Sequence, residues 1–111
     1  ELGNLDSSRD WGHSKDYVRG MHAILNNDEP KDYIIATGDT RTVRDFCRYT
    51  FDKLGMNYKD YVTQNPKFMR PEELKFLKGD STPIREELGW EPEYTFESML
   101  DEMIEFWMNN V

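Results

Sequence analysis

Phe68-Met69-Arg70-Pro71-Glu72-Glu73-Leu74, then Leu77-Lys78-Gly79-Asp80-Ser81, then Leu88-Gly89-Trp90-Glu91-Pro92, is the stretch on which the reading of this chain turns. Pro71 fixes the backbone between Arg70 and Glu73, three residues apart. Gly79-Asp80-Ser81-Thr82-Pro83 reads as a turn running into a helix, since proline is tolerated in a first turn. Gly89 is a helix stop and Pro92 prevents resumption. The spacing predicts a short helix from Pro83 to Leu88, with Arg70 on the loop before it.

Working outward, an apolar opening from Leu2 to Leu5 suggests the tail of a strand. A helix is predicted from Ser14 to Asn26, because Tyr17, Val18, Met21, Ile24 and Leu25 share one face. Tyr33-Ile34-Ile35-Ala36-Thr37 is a continuous apolar run, the pattern of a strand covered on both faces in a parallel sheet. Thr42 is the expected N-cap of a second helix. Val43, Phe46, Cys47, Thr50, Phe51 and Leu54 form its inner face, and Gly55 ends it. Tyr58 to Thr63 is a candidate second strand. Thr95 caps a last helix, on which Phe96, Met99, Leu100, Met103, Ile104 and Trp107 make an apolar stripe. Glu97, Asp101, Glu102 and Glu105 make its solvated face. The order is that of an α/β fold, helix-rich with few strands. Ile34 and Ile35 need neighbouring strands that this chain does not supply, so residues 1–111 are expected to be the end of a larger sheet protein.

The chain has 111 residues, enough for one domain at most. Aromatic residues make up 14%, which argues against disorder. Its net charge of −8 disfavours nucleic acid or an anionic membrane as a partner. No Lys or Arg follows Arg85, so any anion site must draw on the residues before it. Cys47, the only cysteine, excludes an internal disulfide and suits a reducing compartment; its helical setting points to packing. No apolar run spans a membrane. His13, His22 and Cys47 have no zinc-site spacing, and no metal ligands or catalytic nucleophile are expected.

Arg9 and Arg70 stand out. Each lies in a loop beside an aromatic residue, Trp11 and Phe68 respectively. A guanidinium in such a loop suits phosphate, which it grips through two parallel hydrogen bonds. Glu73 could accept from sugar hydroxyls. Structural ion pairs, Arg9–Asp10 and Arg70–Glu73, fit the same spacing.

These residues also carry a family likeness. The run from Leu2 to Val18, with Arg9-Asp10-Trp11-Gly12-His13 at its centre, resembles a signature of GDP-mannose 4,6-dehydratases, in the extended short-chain dehydrogenase/reductase family. The likeness continues through Asp32 to Gly38, Thr42 to Phe46, Phe68 to Glu73, and Leu88 to Pro92. It implies an N-terminal Rossmann domain that binds NADP and a smaller C-terminal domain that binds the sugar nucleotide. It implies oxidation of GDP-mannose at C4, loss of water across C5 and C6, and return of the hydride to C6. The product is GDP-4-keto-6-deoxymannose, a precursor of GDP-fucose. By position, Arg9 and Arg70 then look like diphosphate ligands and Glu73 like a ribose ligand. The family's enzymes are expected to be cytoplasmic homodimers or homotetramers.

The departures define what this chain is. The glycine-rich NADP turn is absent, and so is the family's Tyr-x-x-x-Lys with its Thr and Glu partners. Tyr49-Thr50-Phe51-Asp52-Lys53 matches Tyr-x-x-x-Lys, but it lies too far C-terminal and in a packed helix. The expectation is a C-terminal, substrate-binding portion without the Rossmann domain, catalytically inactive alone, with NADP bound by the missing part. The alternatives are another nucleotide-sugar dehydratase or epimerase, or a non-catalytic sugar-nucleotide-binding module.

Overall fold

The computed structural model describes residues 1–70 and 77–110. Its elements, in order, are β1 (Ser8–Asp10), α1 (Ser14–Leu25), β2 (Thr40–Thr42), α2 (Val43–Lys53), α3 (Thr82–Leu88) and α4 (Phe96–Asn109), with short 3-10 turns at Tyr58–Asp60 and Pro66–Phe68. The fold is α/β and helix-rich. Its one sheet, among the described residues, is a two-stranded antiparallel ribbon pairing Ser8 with Thr42, Arg9 with Arg41 and Asp10 with Thr40.

Local chemistry sets the helix ends. Thr42 is the N-cap of α2, as its sequence predicts; its hydroxyl accepts from the Asp45 N–H while the Asp45 carboxylate accepts from the Thr42 N–H. Thr95 and Ser98 make the same reciprocal cap on α4. The predicted Pro83–Leu88 helix is found as Thr82–Leu88, stopped by Gly89 at φ 69°. The N-cap of α1 is His13, whose Nδ1 accepts from the Lys15 N–H at 3.0 Å.

Two small cores lie on either side of α2. One gathers Leu5, Cys47 and Tyr58, with Val43, Phe51 and Val62 against them. The other gathers Phe96, Met99 and Leu100 of α4, with Trp11, Phe46, Tyr49 and Tyr94. A third anchor ties α1 to the stretch before α4. Asp16, 1% exposed, accepts from the Glu93 and Tyr94 amides and from Arg19, and its carbonyl accepts from the Trp90 indole N–H.

Four expectations are corrected. Residues 33–37 form no strand: Ala36 is buried and Ile34 is 58% exposed, and among the described residues no strand pairs with them. Tyr58 to Thr63 is not a strand either. Asn57 caps a 3-10 turn there, and the Tyr58 ring is drawn into the first core. The stripe of α4 is buried only as far as Leu100, leaving Met103 45% and Trp107 61% exposed. Nor is the acidic face of α4 merely solvated, for Glu97 pairs with Arg41, Asp101 accepts from Tyr49, and Glu102 faces His13 and Lys15.

The molecule is a slab of 52 × 38 × 19 Å with a radius of gyration of 16.6 Å. A compact chain of this length would have about 13 Å. It exposes 7961 Å², against about 6,400 Å² for a folded monomer of its mass. Much of the surplus is apolar: Val18, Met21 and Leu25 on α1, Ile34 nearby in sequence, and Met103, Phe106, Trp107 and Met108 on α4 are all exposed.

Candidate functional site

Arg9 occupies the middle of β1, half-buried, and its Nη1 donates to the Ser8 carbonyl at 2.7 Å. The strand is three residues of polar sequence, so neither alternation nor β-propensity holds it; specific bonds do. Trp11, just beyond, donates its indole N–H to the Arg41 carbonyl at 2.9 Å and sets its ring 4.9 Å from that of Phe46. Asp10 turns its carboxylate to the amides of Thr37 and Gly38, each at 2.8 Å.

Arg41 lies directly across the ribbon from Arg9, where like charges destabilise a pair. Its charge is answered by Asp39 at 3.0 Å and by Glu97 at 3.1 Å, over the Phe96 ring. The Asp39 hydrogen bonds are the main reason its pKa is raised further. Arg41 is thus committed to internal pairs.

Arg70 is exposed, two residues beyond the Pro66–Phe68 turn. The chain's opening segment lies flat on that stretch. Leu2 bridges to Gln64, with the Leu2 N–H donating to the Thr63 carbonyl and the Asn65 N–H donating to Leu2. A Cβ at Gly3 would sit 2.7 Å from the Phe68 carbonyl oxygen, so only glycine permits the approach. On the other side of residues 71–76, the Leu77 N–H donates to the Ser8 carbonyl at 3.2 Å. The structure therefore places Leu2 and Gly3, ahead of the Arg9 strand, against the stretch leading to Arg70, and Leu77 against the strand itself. Glu73, and with it the Arg70–Glu73 pair, lies outside the described residues.

The Tyr-x-x-x-Lys match is closed off by its surroundings. The Tyr49 hydroxyl donates to Asp101 at 2.8 Å, and Lys53 lies 3.6 Å from the same carboxylate. Burial, then the Asp101 hydrogen bond and charge, push the Tyr49 phenol up to about 12. A proton relay at neutral pH needs the opposite shift. Cys47 is buried and its thiol is pushed up by desolvation, in keeping with packing rather than nucleophilic use. His13 is stacked on Tyr94 with centroids 4.0 Å apart, and its Nε2 lies 3.1 Å from Glu102. Among the described residues no group of three His, Cys, Asp or Glu could hold a metal ion, and no helix is long and apolar enough to cross a membrane.

Sequence reasoning missed Asp10 as a carboxylate joining β1 to a turn 27 and 28 residues further along the chain. The adjacent Thr37-Gly38-Asp39 turn, whose amides need an acceptor, was the available signal.

Known proteins share both this sequence and this shape. GDP-mannose 4,6 dehydratase 2 of Arabidopsis thaliana is 42% identical over 104 residues, covering 94% of this chain and 28% of that protein. The Homo sapiens GDP-mannose 4,6 dehydratase is 40% identical over 120 residues, covering 93% and 32%. The chain thus spans about a third of the length of these relatives. Among solved structures, RMD from Pseudomonas aeruginosa complexed with NADPH superposes with a TM-score of 0.85 at 22% identity, covering 99% of this chain and 36% of that one. DesIV, a dTDP-glucose 4,6-dehydratase from Streptomyces venezuelae with NAD and TYD bound, gives 0.85 at 24%, covering 98% and 33%. These two establish the fold alone. The family model described as GDP-mannose 4,6 dehydratase matches residues 1–103, and this chain belongs to that family.

Proposed function

We propose that this chain is the C-terminal portion of a GDP-mannose 4,6-dehydratase, a sugar-nucleotide lyase. In the complete enzyme it converts GDP-mannose to GDP-4-keto-6-deoxymannose, upstream of GDP-fucose. The chain's own part is to hold the sugar nucleotide: Arg9 and Arg70 bind the diphosphate, and Glu73 binds a ribose hydroxyl. What supports the reading is that Gly3, six residues before Arg9, lies against Phe68, two residues before Arg70, and that Ser8, next to Arg9, accepts from Leu77. The bidentate fork of each guanidinium suits one phosphate of the pair.

NADP belongs to the part of the enzyme outside this chain. Its residues include no glycine-rich turn of the dinucleotide-binding kind. When bound, the cofactor supplies hydride removal and return. The exposed apolar face of α1 (Val18, Met21 and Leu25) supports this reading, because a contiguous patch of that kind marks a surface built for contact. The remaining two thirds of the enzyme is its partner. Full-length enzyme is a cytoplasmic homodimer or homotetramer in this reading.

The test is calorimetry on the complete enzyme that carries this chain. Arg70→Ala should weaken GDP-mannose binding about ten- to a hundredfold, the usual effect of losing a charge-assisted hydrogen-bond partner. NADP affinity should stay unchanged. Arg70→Lys should also be impaired, because a point charge does not reproduce the fork. Wild-type affinity in Arg70→Ala would remove Arg70 from the site.

A further inference from the structure

Asp10 closes β1 immediately after Arg9, and what it holds goes beyond local packing. Its Oδ1 accepts from the Thr37 N–H at 2.8 Å and from the Thr37 hydroxyl at 2.7 Å, while its Oδ2 accepts from the Gly38 N–H at 2.8 Å. The Thr37 carbonyl in turn accepts from Arg85 Nη2 at 2.9 Å, and Arg85 Nε donates to the Ser81 hydroxyl at 2.8 Å. Arg85 belongs to α3 and Ser81 immediately precedes it. An unbroken hydrogen-bonded path thus runs from the residue beside Arg9, through the 37–38 turn, to the helix that follows the Arg70 segment. A second tie, from the Leu77 N–H to the Ser8 carbonyl, fixes the other end of the same strand.

Resting on the reading of Arg9 and Arg70 as diphosphate ligands, we propose that Asp10 is a positioning residue for sugar-nucleotide binding. It touches no ligand and acts by holding Arg9 at a set place against the 37–38 turn and α3. Successive side chains of a strand point to opposite faces, so the Asp10 carboxylate is turned away from the face that Arg9 presents. An ionised carboxylate is the group this place requires: two oxygens, both acceptors, meet three donors. An asparagine would offer one oxygen and set its NH₂ against a backbone N–H.

The test is steady-state kinetics on the complete enzyme. Asp10→Asn should raise the KM for GDP-mannose about tenfold with kcat within about twofold, the pattern of lost ground-state binding. NADP affinity should not move. Thr37→Val, which removes the hydroxyl that donates to Asp10 and accepts from the Asp39 N–H, should raise KM in the same direction by about two- to threefold and keeps the proposal testable if Asp10→Asn folds poorly. Arg9→Ala should raise KM by itself, and adding Asp10→Asn to it should change KM by less than about twofold, because residues acting through one contact are not additive. Full multiplication of the two effects overturns the proposal, since Asp10 would then act independently of Arg9. A raised KM in Arg9→Ala with wild-type KM in both Asp10→Asn and Thr37→Val overturns the positioning role alone. Wild-type KM in Arg9→Ala sinks the diphosphate reading, and the positioning role with it.

Discussion

The indole of Trp90 donates to the backbone carbonyl of Asp16 at 2.9 Å, while the Asp16 carboxylate reaches past it to the amides of Glu93 and Tyr94. Asp16 thereby holds the connection between α3 and α4 at three points, with Arg19 adding a bond to the Glu91 carbonyl. Asp16→Ala should destabilise the protein by about 3 kcal/mol, because it leaves two backbone N–H groups and Arg19 without their acceptor. Asp28, exposed at the end of the α1 connection, is the control. Equal shifts in urea midpoint for Asp16→Ala and Asp28→Ala would show that the anchor contributes nothing.

The same anchor has a pH signature. Burial by itself raises the Asp16 carboxyl, but hydrogen bonds from the Glu93 amide, Arg19 and the Tyr94 amide outweigh it and hold the pKa below the ordinary value. A depressed carboxylate adds stability that is complete above its unfolded pKa, about 4, and is lost as pH falls through the folded value. Asp16→Asn should therefore flatten the acid limb of the stability profile below about pH 4. An unchanged acid limb contradicts this.

Tyr49 gives the mirror image at the alkaline end. Its pKa is raised to about 12, so its contribution is complete below its unfolded pKa of about 10 and disappears as pH rises through the folded value. Ultraviolet titration should find a phenol ionising near pH 12, absent in Tyr49→Phe. Titration of every tyrosine near its ordinary pKa would rule the assignment out.

The tryptophans should separate cleanly. Trp90 is 3% exposed and Trp107 61%. Trp90→Ala should cost about 3–5 kcal/mol, and Trp107→Ala no more than about 1–2 kcal/mol. Acrylamide should quench a variant retaining only Trp107 far more than one retaining only Trp90.

This 111-residue chain alone should not dehydrate GDP-mannose, with or without added NADP. It has no glycine-rich turn for the cofactor, and its single Tyr-x-x-x-Lys is tied to Asp101. Product identification by mass is the measurement. Turnover that Tyr49→Phe abolishes would make Tyr49 and Lys53 a real active site.

The helices were legible in the sequence because their signals are local. Thr42 with Asp45, Thr95 with Ser98, and Leu88 followed by Gly89 each announce an end within four residues. The ribbon was not legible, since Ser8-Arg9-Asp10 and Thr40-Arg41-Thr42 carry no apolar alternation and pair across thirty residues. His13 was missed as a cap because the usual capping side chains carry oxygen, and its imidazole nitrogen does that work here. The apolar run at 33–37 was misread as a strand because a continuous β-branched run reads as one, whereas among the described residues no strand pairs with it. At the candidate site, sequence pointed to Arg9 and Arg70 but paired Asp10 with its neighbour, whereas the carboxylate serves a turn 27 residues away.

Thr42 ends β2 and caps α2, so strand passes to helix without a single connecting residue. There is no slack at that junction. Any displacement of the ribbon swings α2 as the long arm of a lever, and with it α4, which packs on α2 through Phe46 and Tyr49. A hinge in this chain must lie elsewhere, and a pull on β1 moves the helical layer as one piece.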